Sequence, residues 1–518
     1  MKKQYSYFAV RILCVLMLAT AFVACNQKEK ATKQTKEIVK KPNILWVVAE
    51  DLSPFMGAYG DSINKGHTPV IDKLASEGIL FKRAYATAPV CSAARSALIT
   101  GVYQTTTGTH NHRSSRFTDG EIVPEELRIH LPEGMKTIPE LMKEAGYFTF
   151  NSGKDDYNFD YDRRALYDVG TKEDYKAGMN GWQGNHAIDF MTVKEYVWNA
   201  RKDKNQPWFG QVQIMGGKKD AKYVREGEKL ATNDVPLPPY FPNIKSQREA
   251  WTTHYNANRG SDVTLEKVIK QLEADGELEN TIIFFFSDHG SPTSLRHKQF
   301  CYEGGLLVPL IIKGDNPVLK AGTVRNDLVS LLDVSATTLA LGNAKMPSYL
   351  VGQDLFSNDY QEKEYVIGAR DRCDYTIDKI RTVVSEEYRY IKNYFPERPM
   401  MQAGYRDNKK IVTDFRKLHE EGKLTPYQEQ HWFGVRPVEE LYDLKKDPNQ
   451  MNNLALNTEY SEVLLKHRNV LENWIKETGD KGQFPEDAKQ LEATYNMWKD
   501  RPRFKNAKIN PEYDQFKK

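Results

Sequence analysis

The sequence predicts an α/β protein with a large, mostly parallel sheet between helices and a smaller α+β part. Two apolar runs, Asn43–Ala49 and Thr281–Phe286, have the length and the β-branched and aromatic content of fully buried strands. Segments with helical periodicity alternate with further apolar runs, which is typical of parallel sheets. With 518 residues, 40% of them hydrophobic, the chain can bury a core of this size.

The remaining elements of the large part follow in chain order. Pro69 occupies the first position of a helix, and Gly101 and Gly146 stand just after the last turns of two others. Helical patterns predict helices over 69–77, 92–100, 137–145, 248–276 and 328–341. Apolar runs predict further strands over 147–151, 208–214 and 306–312.

The pattern changes after about residue 354. An antiparallel hairpin is predicted over 380–394, a short strand over 438–444 and a terminal helix over Ser461–Thr478. These elements lack the strand–helix alternation of the first part. We therefore expect a large α/β domain over 42–354 and a smaller α+β subdomain over 355–518.

The N-terminus has the features of an export signal rather than of a folded element. Lys2 and Lys3 precede an apolar run over 12–23, which is short for a membrane span and typical of a secretory signal. Ala24 directly before Cys25 resembles the lipobox of bacterial lipoproteins. An ordinary cleaved signal peptide is the alternative interpretation.

The lipobox resemblance implies a location for the protein. We expect a signal peptide over 1–24, an acylated Cys25 and a flexible polar tether over 25–41. The protein would then be an exported bacterial lipoprotein in the periplasm or at the outer membrane or cell surface. Its contact with the membrane would be made through the N-terminal lipid alone.

The charge balance and the cysteine count each exclude a class of protein. Lys plus Arg number 73 against 70 for Asp plus Glu, and a net charge of +3 gives no field for binding nucleic acid. Once the signal is removed and Cys25 carries lipid, only Cys91, Cys301 and Cys373 remain, too few for a disulfide scaffold. Cys91 therefore needs another explanation.

Polar residues stand at the carboxyl ends of the two apolar strands. Glu50 and Asp51 follow the first strand, and Asp288 and His289 follow the second. Ligands of open α/β sheets bind beyond such ends, and carboxylate oxygens suit Ca²⁺ or Mg²⁺. Because imidazole also suits transition metals, His289 leaves Zn²⁺ and Mn²⁺ as alternative ions for this site. A surface acid or a helix cap explains either pair alone, but two pairs at strand ends favour a metal site.

The run Cys91-Ser92-Ala93-Ala94-Arg95 is followed by a helix-like stretch that ends in Thr100-Gly101. A lone cysteine is usually a small buried hydrophobe. This run, however, resembles the signature of the sulfatase family in the alkaline phosphatase superfamily: Cys or Ser, any residue, Pro or Ala, any residue, Arg. Further features of that family recur in order, roughly over 42–480: the acids of the first strand, Gly153-Lys154, Ser287-Asp288-His289-Gly290, Lys298 and Glu440-Leu441-Tyr442.

The resemblance implies an alkaline phosphatase-like fold and a mechanism. A maturase would oxidise Cys91 to formylglycine (3-oxoalanine), whose hydrate would attack sulfur. Arg95 would position that hydrate, and Lys154 and Lys298 would hold the sulfate. One Ca²⁺ ion, with Mg²⁺ and Mn²⁺ less favoured, would be bound by the strand-end residues together with the modified cysteine: Glu50, Asp51, Cys91, Asp288 and His289.

The chain departs from the family pattern in four places, one of which is His289, where the family usually has Asn and His is a known alternative. Glu50 stands where the family usually has Asp. The usual histidine after Gly-Lys is absent, because Lys154 is followed by Asp155-Asp156-Tyr157. The usual histidine after the middle strand is absent from Met215-Gly216-Gly217-Lys218. Those histidines help to activate the hydrate and to protonate the leaving group, so their roles would pass to other residues.

Several polar residues are candidates for these roles. His110 or His112, which follow the predicted formylglycine helix, would bind substrate or donate the leaving-group proton. Further substrate contacts are expected from Arg113, Lys218 and His297. Each of these residues can equally be an ordinary surface polar residue.

Three functions are consistent with these residues. The favoured one is a sulfatase that acts on a sulfated oligo- or polysaccharide, through an O-sulfate or an N-sulfate bond. The motifs at 109–113 and 153–158 favour the branch of N-sulfoglucosamine and iduronate sulfatases. The second function is phosphonate or phosphodiester hydrolysis by an enzyme of the same superfamily. The third is a non-catalytic glycan-binding lipoprotein, against which the intact Cys91 and Arg95 argue.

Overall fold

The computed structural model describes residues 41–115, 123–169, 189–193, 196–505 and 510–517. Pro42–Lys518 is one compact unit. The predicted signal peptide, the predicted lipid site at Cys25 and most of the predicted tether lie outside the described residues. Within the described ranges, no helix is both long enough and apolar enough to cross a membrane.

A seven-stranded sheet forms the centre of this unit. Its strands are β1 (Asn43–Ala49), β2 (Ile79–Tyr85), β3 (Phe148–Ser152), β4 (Trp208–Ile214), β5 (Thr281–Phe286), β6 (Leu307–Lys313) and β7 (Thr323–Ser330). The order across the sheet is β3-β4-β1-β5-β6-β2-β7. β6 runs antiparallel to both of its neighbours, and the other pairs are parallel. The expected mostly parallel α/β sheet is therefore confirmed.

Helices connect and cover these strands. The main ones are α1 (Pro69–Ser76), α2 (Cys91–Thr100), α3 (Ile138–Glu144), α4 (Lys245–Ala274), α5 (Leu331–Leu341), α6 (Lys410–Glu420), α7 (Pro426–Phe433), α8 (Ser461–Thr478) and α9 (Ala488–Trp498). Single helical turns occur at Gln104–Thr107, Arg163–Leu166, Gly216–Lys219, Glu303–Leu306 and Pro502–Lys505.

Both faces of the large sheet are buried. Ile44 and Trp46 of β1 pack into one hydrophobic cluster with residues of α2, α3 and α5. Leu45 and Val47 pack into a second cluster with residues of α1 and α4. Because successive side chains of a strand point to opposite faces, a strand covered on both sides is apolar on both, as β1 is from Ile44 to Ala49.

A second sheet follows in the chain. It consists of β8 (Val366–Arg370), β9 (Ile380–Val384), β10 (Tyr388–Asn393) and β11 (Glu439–Asp443), antiparallel in the order β11-β10-β9-β8. Helix α8 packs on it through Leu471 and Trp474. The predicted hairpin, short strand and terminal helix are confirmed, while the domain boundary at residue 354 stays a prediction.

The structure corrects one predicted element and adds others, among them helices α6, α7 and α9 and three strands. The helix predicted over 328–341 was wrong in its first turn, because β7 continues to Ser330 and α5 begins at Leu331. Ser330 and Asp333 form a capping box at that point, which ends the strand and starts the helix. Strands β2, β7 and β8 were not predicted. Short apolar runs fit a strand and a buried helix equally well, so periodicity alone does not separate them.

Candidate active site

Four parallel strands bring polar residues to one edge of the large sheet. Strands β3, β4, β1 and β5 are neighbours in that order, so Lys154, Lys218, Asp51 and Asp288 follow the carboxyl ends of adjacent strands. Strand β6 runs in the opposite direction, so the loop before it, which carries Lys298, reaches the same edge. The strand order thus collects residues that are far apart in the chain.

Helix α2 places Cys91 at this edge. Cys91 is the first residue of the helix, all ten residues of which are buried, and Gly101 ends it with φ of 69°. The Sγ atom of Cys91 lies 3.1 Å from Nε2 of His289 and 3.1 Å from Nζ of Lys298. It also lies 3.6 Å from Oδ1 of Asp51.

The Cys91 thiol is more acidic than an ordinary thiol. Burial raises its pKa, but the charges of Lys154 and Lys298 outweigh burial and lower the pKa to about 7. The reactive thiolate is therefore well populated near neutral pH. Burial instead raises the pKa of Cys301 to about 12 and that of Cys373 to about 11. Cys91 thus differs chemically from both.

Arg95, one helical turn after Cys91, ties helix α2 to two strands. Its Nε donates to Oδ2 of Asp288 at 2.8 Å, and its Nη1 donates to Oε1 of Gln213 at 2.6 Å. Burial by itself raises the pKa of the Asp288 carboxyl, but the charges of Arg95 and, less strongly, of His289 and Lys154 together outweigh it, and the pKa lies far below its usual value. Asp288 is therefore an ionised carboxylate in the protein interior.

Four residues at this edge can hold a divalent cation. Asp51, Cys91, Asp288 and His289 each offer a ligand atom, and these atoms lie within 4.8 Å of one another. The backbone of Asp51 is left-handed, with φ of 57°, and its N–H donates to Oδ1 of Asp288 at 2.9 Å. Nδ1 of His289 lies 2.9 Å from the carbonyl oxygen of Gly290, which leaves Nε2 directed at the group. Two carboxylates and an oriented imidazole fit a divalent metal ion.

Lysines surround the two acids at the end of β1. Lys298 donates to Oδ2 of Asp51 at 2.8 Å. Lys218 donates to Oε1 of Glu50 at 2.6 Å, and Lys154 pairs with the same oxygen. Burial raises the pKa of Glu50, but the two lysines lower it overall. Glu50 stands outside the four-residue group in the described part of the chain, so its role as a metal ligand stays a prediction.

After Gly-Lys, where the family usually has a histidine and this chain has Asp155-Asp156, the structure shows an ion-pair network. Asp156 accepts hydrogen bonds from Nε and Nη2 of Arg113, both at 3.1 Å, and lies 3.2 Å from Nζ of Lys154. Burial raises the pKa of Asp156, but Arg113 and then Lys154 bring it well below its usual value. The neighbouring His112 reaches the start of helix α2, with Nδ1 2.7 Å from Oγ of Ser92.

The structure places the other two histidine candidates elsewhere. The charges that act most strongly on His110 are those of Asp371, which directly follows β8, and of Arg381 in β9. His297 packs edge-on against the rings of Trp251 and Phe55. Among the described residues, neither ring hydrogen-bonds to Cys91 or to the metal-compatible group. Their predicted contacts with substrate stay predictions.

Three residues around the site were not predicted. Asp374 brings Oδ1 within 3.9 Å of Nε2 of His112. Gln213 accepts from Arg95, and His254 accepts the backbone N–H of Ser53 at 3.2 Å. The sequence does indicate an interaction for Gln213, because an amide side chain inside a buried strand needs a hydrogen-bond partner. No such indication exists for Asp374 and His254, since a loop and a long helix bring them to the site.

The sheet, the metal-compatible group and the flanking lysines together define a hydrolytic enzyme of alkaline phosphatase-like fold. A model of the sulfatase family matches residues 42–344. An "Ulvan-active sulfatase" of Formosa agariphila is 32% identical over 515 residues, which cover 93% of this chain and 84% of that protein. A "Delta 4,5-hexuronate-2-O-sulfatase" of Bacteroides thetaiotaomicron is 24% identical over 488 residues, covering 85% and 90%.

Solved structures show the same fold. One described as a "2-O GAG sulfatase" superposes with a TM-score of 0.59 at 20% identity, covering 87% of this chain and 96% of that one. The chain belongs to the sulfatase family. It is accordingly a sulfuric ester hydrolase.

Proposed function

We propose that this protein removes sulfate from a sulfated carbohydrate, using formylglycine made from Cys91 and a bound Ca²⁺ ion. The observation that carries the proposal is the position of Cys91. It begins a buried helix, belongs to the metal-compatible group and lies 3.1 Å from Nζ of Lys298. A maturase that oxidises Cys91 is an implied partner.

The proposed ion would be held by Asp51, Asp288 and His289, together with the oxygen that replaces Sγ after oxidation of Cys91. When bound, a divalent cation lowers the pKa of a hydroxyl group and neutralises sulfate oxygens. Asp51 and Asp288 have pKa values below the usual range despite their burial, so no proton has to leave either carboxylate before it binds a cation.

The lysines and the arginine of the site have separate roles in the proposed reaction. Lys298 contacts Sγ of Cys91, and the charge of Lys154 also acts on this atom, so the two lysines can orient a sulfate group and stabilise negative charge as the ester bond breaks. Arg95 holds Asp288 in place through the hydrogen bond of 2.8 Å. All four side chains are buried, which strengthens each of these interactions by excluding water.

Two observations support a sulfated oligo- or polysaccharide as the substrate. The relatives named above act, by their names, on ulvan and on a hexuronate 2-O-sulfate. In this chain, the side chain of Lys218 is 33% exposed. Lys409 is also exposed, and the charges of Lys298 and Lys218 act on it. Solvent-accessible cations that act electrostatically on the site favour a substrate that carries several negative charges.

The first test is the mass of the peptide that contains Cys91. In protein produced with a formylglycine-generating maturase, this peptide should be lighter by roughly 18 Da, as expected for exchange of the thiol group for an aldehyde. The peptides that contain Cys301 and Cys373 are internal controls and should keep their thiols. An unmodified Cys91 in protein that is active on sulfate esters would contradict the formylglycine mechanism.

The second test asks which type of bond the protein cleaves and which metal ion the cleavage requires. Purified protein is offered sulfated oligosaccharides with O-sulfate or N-sulfate groups, and phosphate and phosphonate esters as alternatives. We expect inorganic sulfate as the product, loss of release after chelation, and its return with Ca²⁺ in preference to Mg²⁺ or Mn²⁺. Faster release of phosphate or phosphonate than of sulfate would favour the alternative chemistry.

We further propose that the protein is exported and anchored by lipid at Cys25. The signal-like sequence over 1–24 supports this location. Radiolabelled fatty acid should be incorporated into the wild-type chain and not into Cys25→Ser, and the Cys25→Ser protein should fractionate away from membranes. Equal labelling of both proteins would refute the assignment of Cys25.

A further inference from the structure

We propose that His112 and Asp374 act together as the acid that protonates the departing sugar oxygen. The inference rests on the proposed sulfatase reaction and assigns a role that the absent histidines leave open. Nε2 of His112 and Oδ1 of Asp374 lie 3.9 Å apart, too far for a hydrogen bond with each other. The ester oxygen can accept the proton of Nε2, while the charge of the carboxylate acts on the ring across the 3.9 Å gap.

Backbone contacts hold the two loops that carry this pair against each other. The N–H of His112 donates to the carbonyl oxygen of Arg372 at 2.8 Å, and the N–H of Arg372 donates to Oδ1 of Asn111 at 3.2 Å. The guanidinium of Arg372 also bonds to the carbonyl oxygen of Asp374 and to both carboxylate oxygens of Glu486. The separation of His112 and Asp374 is therefore fixed by the fold rather than by mutual attraction.

The carboxylate of Asp374 is buried without a hydrogen-bond partner of its own. Its side chain is 6% exposed, and among the described residues nothing donates a hydrogen bond to either oxygen. Among cations, the charges of Arg113 and Lys298 act on it most strongly. A buried polar group usually has a partner, so an unpartnered carboxylate beside the sulfate-binding lysine indicates a place for a ligand group.

Backbone strain supports a functional role for this region. Asp374, Arg113, Asp156 and Asp51 all have left-handed backbones, with φ between 52° and 59°. Such conformations are unfavourable for residues other than glycine, and they concentrate at sites where geometry serves function. Asp374 and Asp156 share this conformation, and the charge of Arg113 acts on both carboxylates.

His112 is arranged to exchange a proton. Oγ of Ser92 lies 2.7 Å from Nδ1 and accepts the N–H of Arg113 at 3.1 Å. A hydroxyl group can donate to a neutral Nδ1 or accept from a protonated one, so the contact suits both forms of the ring. In either form Nε2 is free to carry a proton toward Asp374.

The proposed step is balanced as follows. The bond between sulfur and the ester oxygen breaks, and its electron pair stays on that oxygen. The proton on Nε2 of His112 moves to the oxygen, which leaves an alcohol and a neutral imidazole. The carboxylate of Asp374 stabilises the imidazolium before transfer, and water restores the proton afterwards.

In the protein without substrate, the surroundings of the pair oppose a protonated His112 beside an ionised Asp374. Without substrate, burial and then the charge of Arg113 hold the pKa of His112 well below its usual value, and burial raises the pKa of Asp374. A bound sulfate ester adds a negative charge, which favours the protonated imidazole. The pair would therefore take up its proton when substrate binds.

The test compares leaving groups. His112→Gln and Asp374→Asn, made in matured protein, are assayed on a sulfated sugar, whose alkoxide needs a proton, and on 4-nitrophenyl sulfate, whose phenolate does not. We expect kcat to fall about 10²-fold or more on the sugar and less than about threefold on the aryl ester. The double variant should lose no more than the worse single variant, because the two groups act as a unit.

Matched controls separate this role from a structural one. Asp371→Asn changes a buried acid in the same loop that pairs with Arg381 at 3.1 Å, and His467→Gln changes a buried histidine packed beside the second sheet. Both should keep the wild-type ratio of sugar to aryl turnover. If wild type ignores aryl sulfates, the double-variant comparison on the sugar decides.

Two results would overturn the proposal. One is an equal loss on both ester types in either variant, and the other is losses that multiply in the double variant. A wild-type protein that releases sulfate from no sulfate ester would instead refute the proposed function itself, so the two failures are distinguishable.

Discussion

The two sides of the site are built in different ways. On the strand side, which comprises Glu50, Asp51, Asp288, His289 and Lys218, the polar residues follow directly from the ends of parallel strands. On the loop side, which comprises residues 111–115 and 371–376, they lie on loops held by side chains such as Arg372 and Asn158. One side is positioned by a backbone ladder, and the other by individual side-chain contacts.

This difference separates the chemistry from the choice of substrate. A ladder of backbone hydrogen bonds fixes the strand side, so the groups that bind metal and sulfate have little freedom to shift. Loops tolerate substitution better than the sheet beneath them. The loop side can therefore change the recognition and protonation of the leaving alcohol while the strand side keeps its geometry.

Asp288→Asn should have the largest effect, because it removes a charge on which the strand side depends. The change removes the carboxylate partner of the buried Arg95, and such a loss costs about 3–5 kcal/mol of folding free energy. Sulfate release should also fall by at least about 10²-fold. Chemical denaturation and a sulfate-release assay measure the two effects.

An exposed ion pair provides the control for that variant. Asp414 pairs with Lys410 on the surface of α6, and Asp414→Asn should cost less than about 1 kcal/mol. Equal stability of Asp288→Asn and Asp414→Asn would show that the strand side does not depend on this buried pair.

Arg372→Lys should have the next largest effect and tests the loop side. Lysine can keep the ion pair with Glu486 but lacks the two guanidinium nitrogens that donate to the carbonyl oxygen of Asp374, through Nη1, and to Oγ of Ser114, through Nη2. We expect kcat on a sulfated sugar to fall about tenfold through misplacement of the loops, with metal content unchanged. Loss of bound metal in this variant would show that the two sides are not independent.

The stability of the strand side should depend on pH through Asp220. Burial raises the pKa of Asp220 to about 7, although it accepts the N–H of Gly216 and the hydroxyl of Ser261. Its unfolded pKa is about 3.9. Between these values the folded protein binds more protons than the unfolded chain, so stability falls as pH rises from about 4 through about 7.

Asp220→Asn removes this titration and so isolates it. The free energy of unfolding of the wild type, measured by denaturant at several pH values, should fall with pH more steeply than that of the variant. The difference in slope should approach one proton in this range. Parallel slopes would mean that Asp220 is ionised in the folded protein.

Lys409→Ala should have the smallest effect. This lysine is exposed, its charge acts on the site through Lys298 and Lys218, and surface charges contribute little at physiological salt. We expect KM for a sulfated oligosaccharide to rise by up to about fivefold at low ionic strength, with kcat unchanged. A change in kcat would place Lys409 in contact with the reacting group.

The sequence predicted the strand side far better than the loop side. Strands β1 and β5, the acids at their ends and the start of helix α2 follow from local patterns and a short motif. The contact between Lys218 and Glu50 requires β4 to lie beside β1, and strand order is not a local property. Asp374 lies on a loop without periodicity, so nothing near it in the chain indicates that it faces His112.

What the sequence by itself determined is which residues can do chemistry at the ends of buried strands. Hydrophobic runs locate the strands, and the polar residues directly after Ala49 and Phe286 must then lie at the edge of the sheet. Only the tertiary structure decided which of those residues meet and what completes the site. The order of the strands and the packing of loop 371–376 against loop 111–115 depend on contacts between distant segments, which local propensity does not encode.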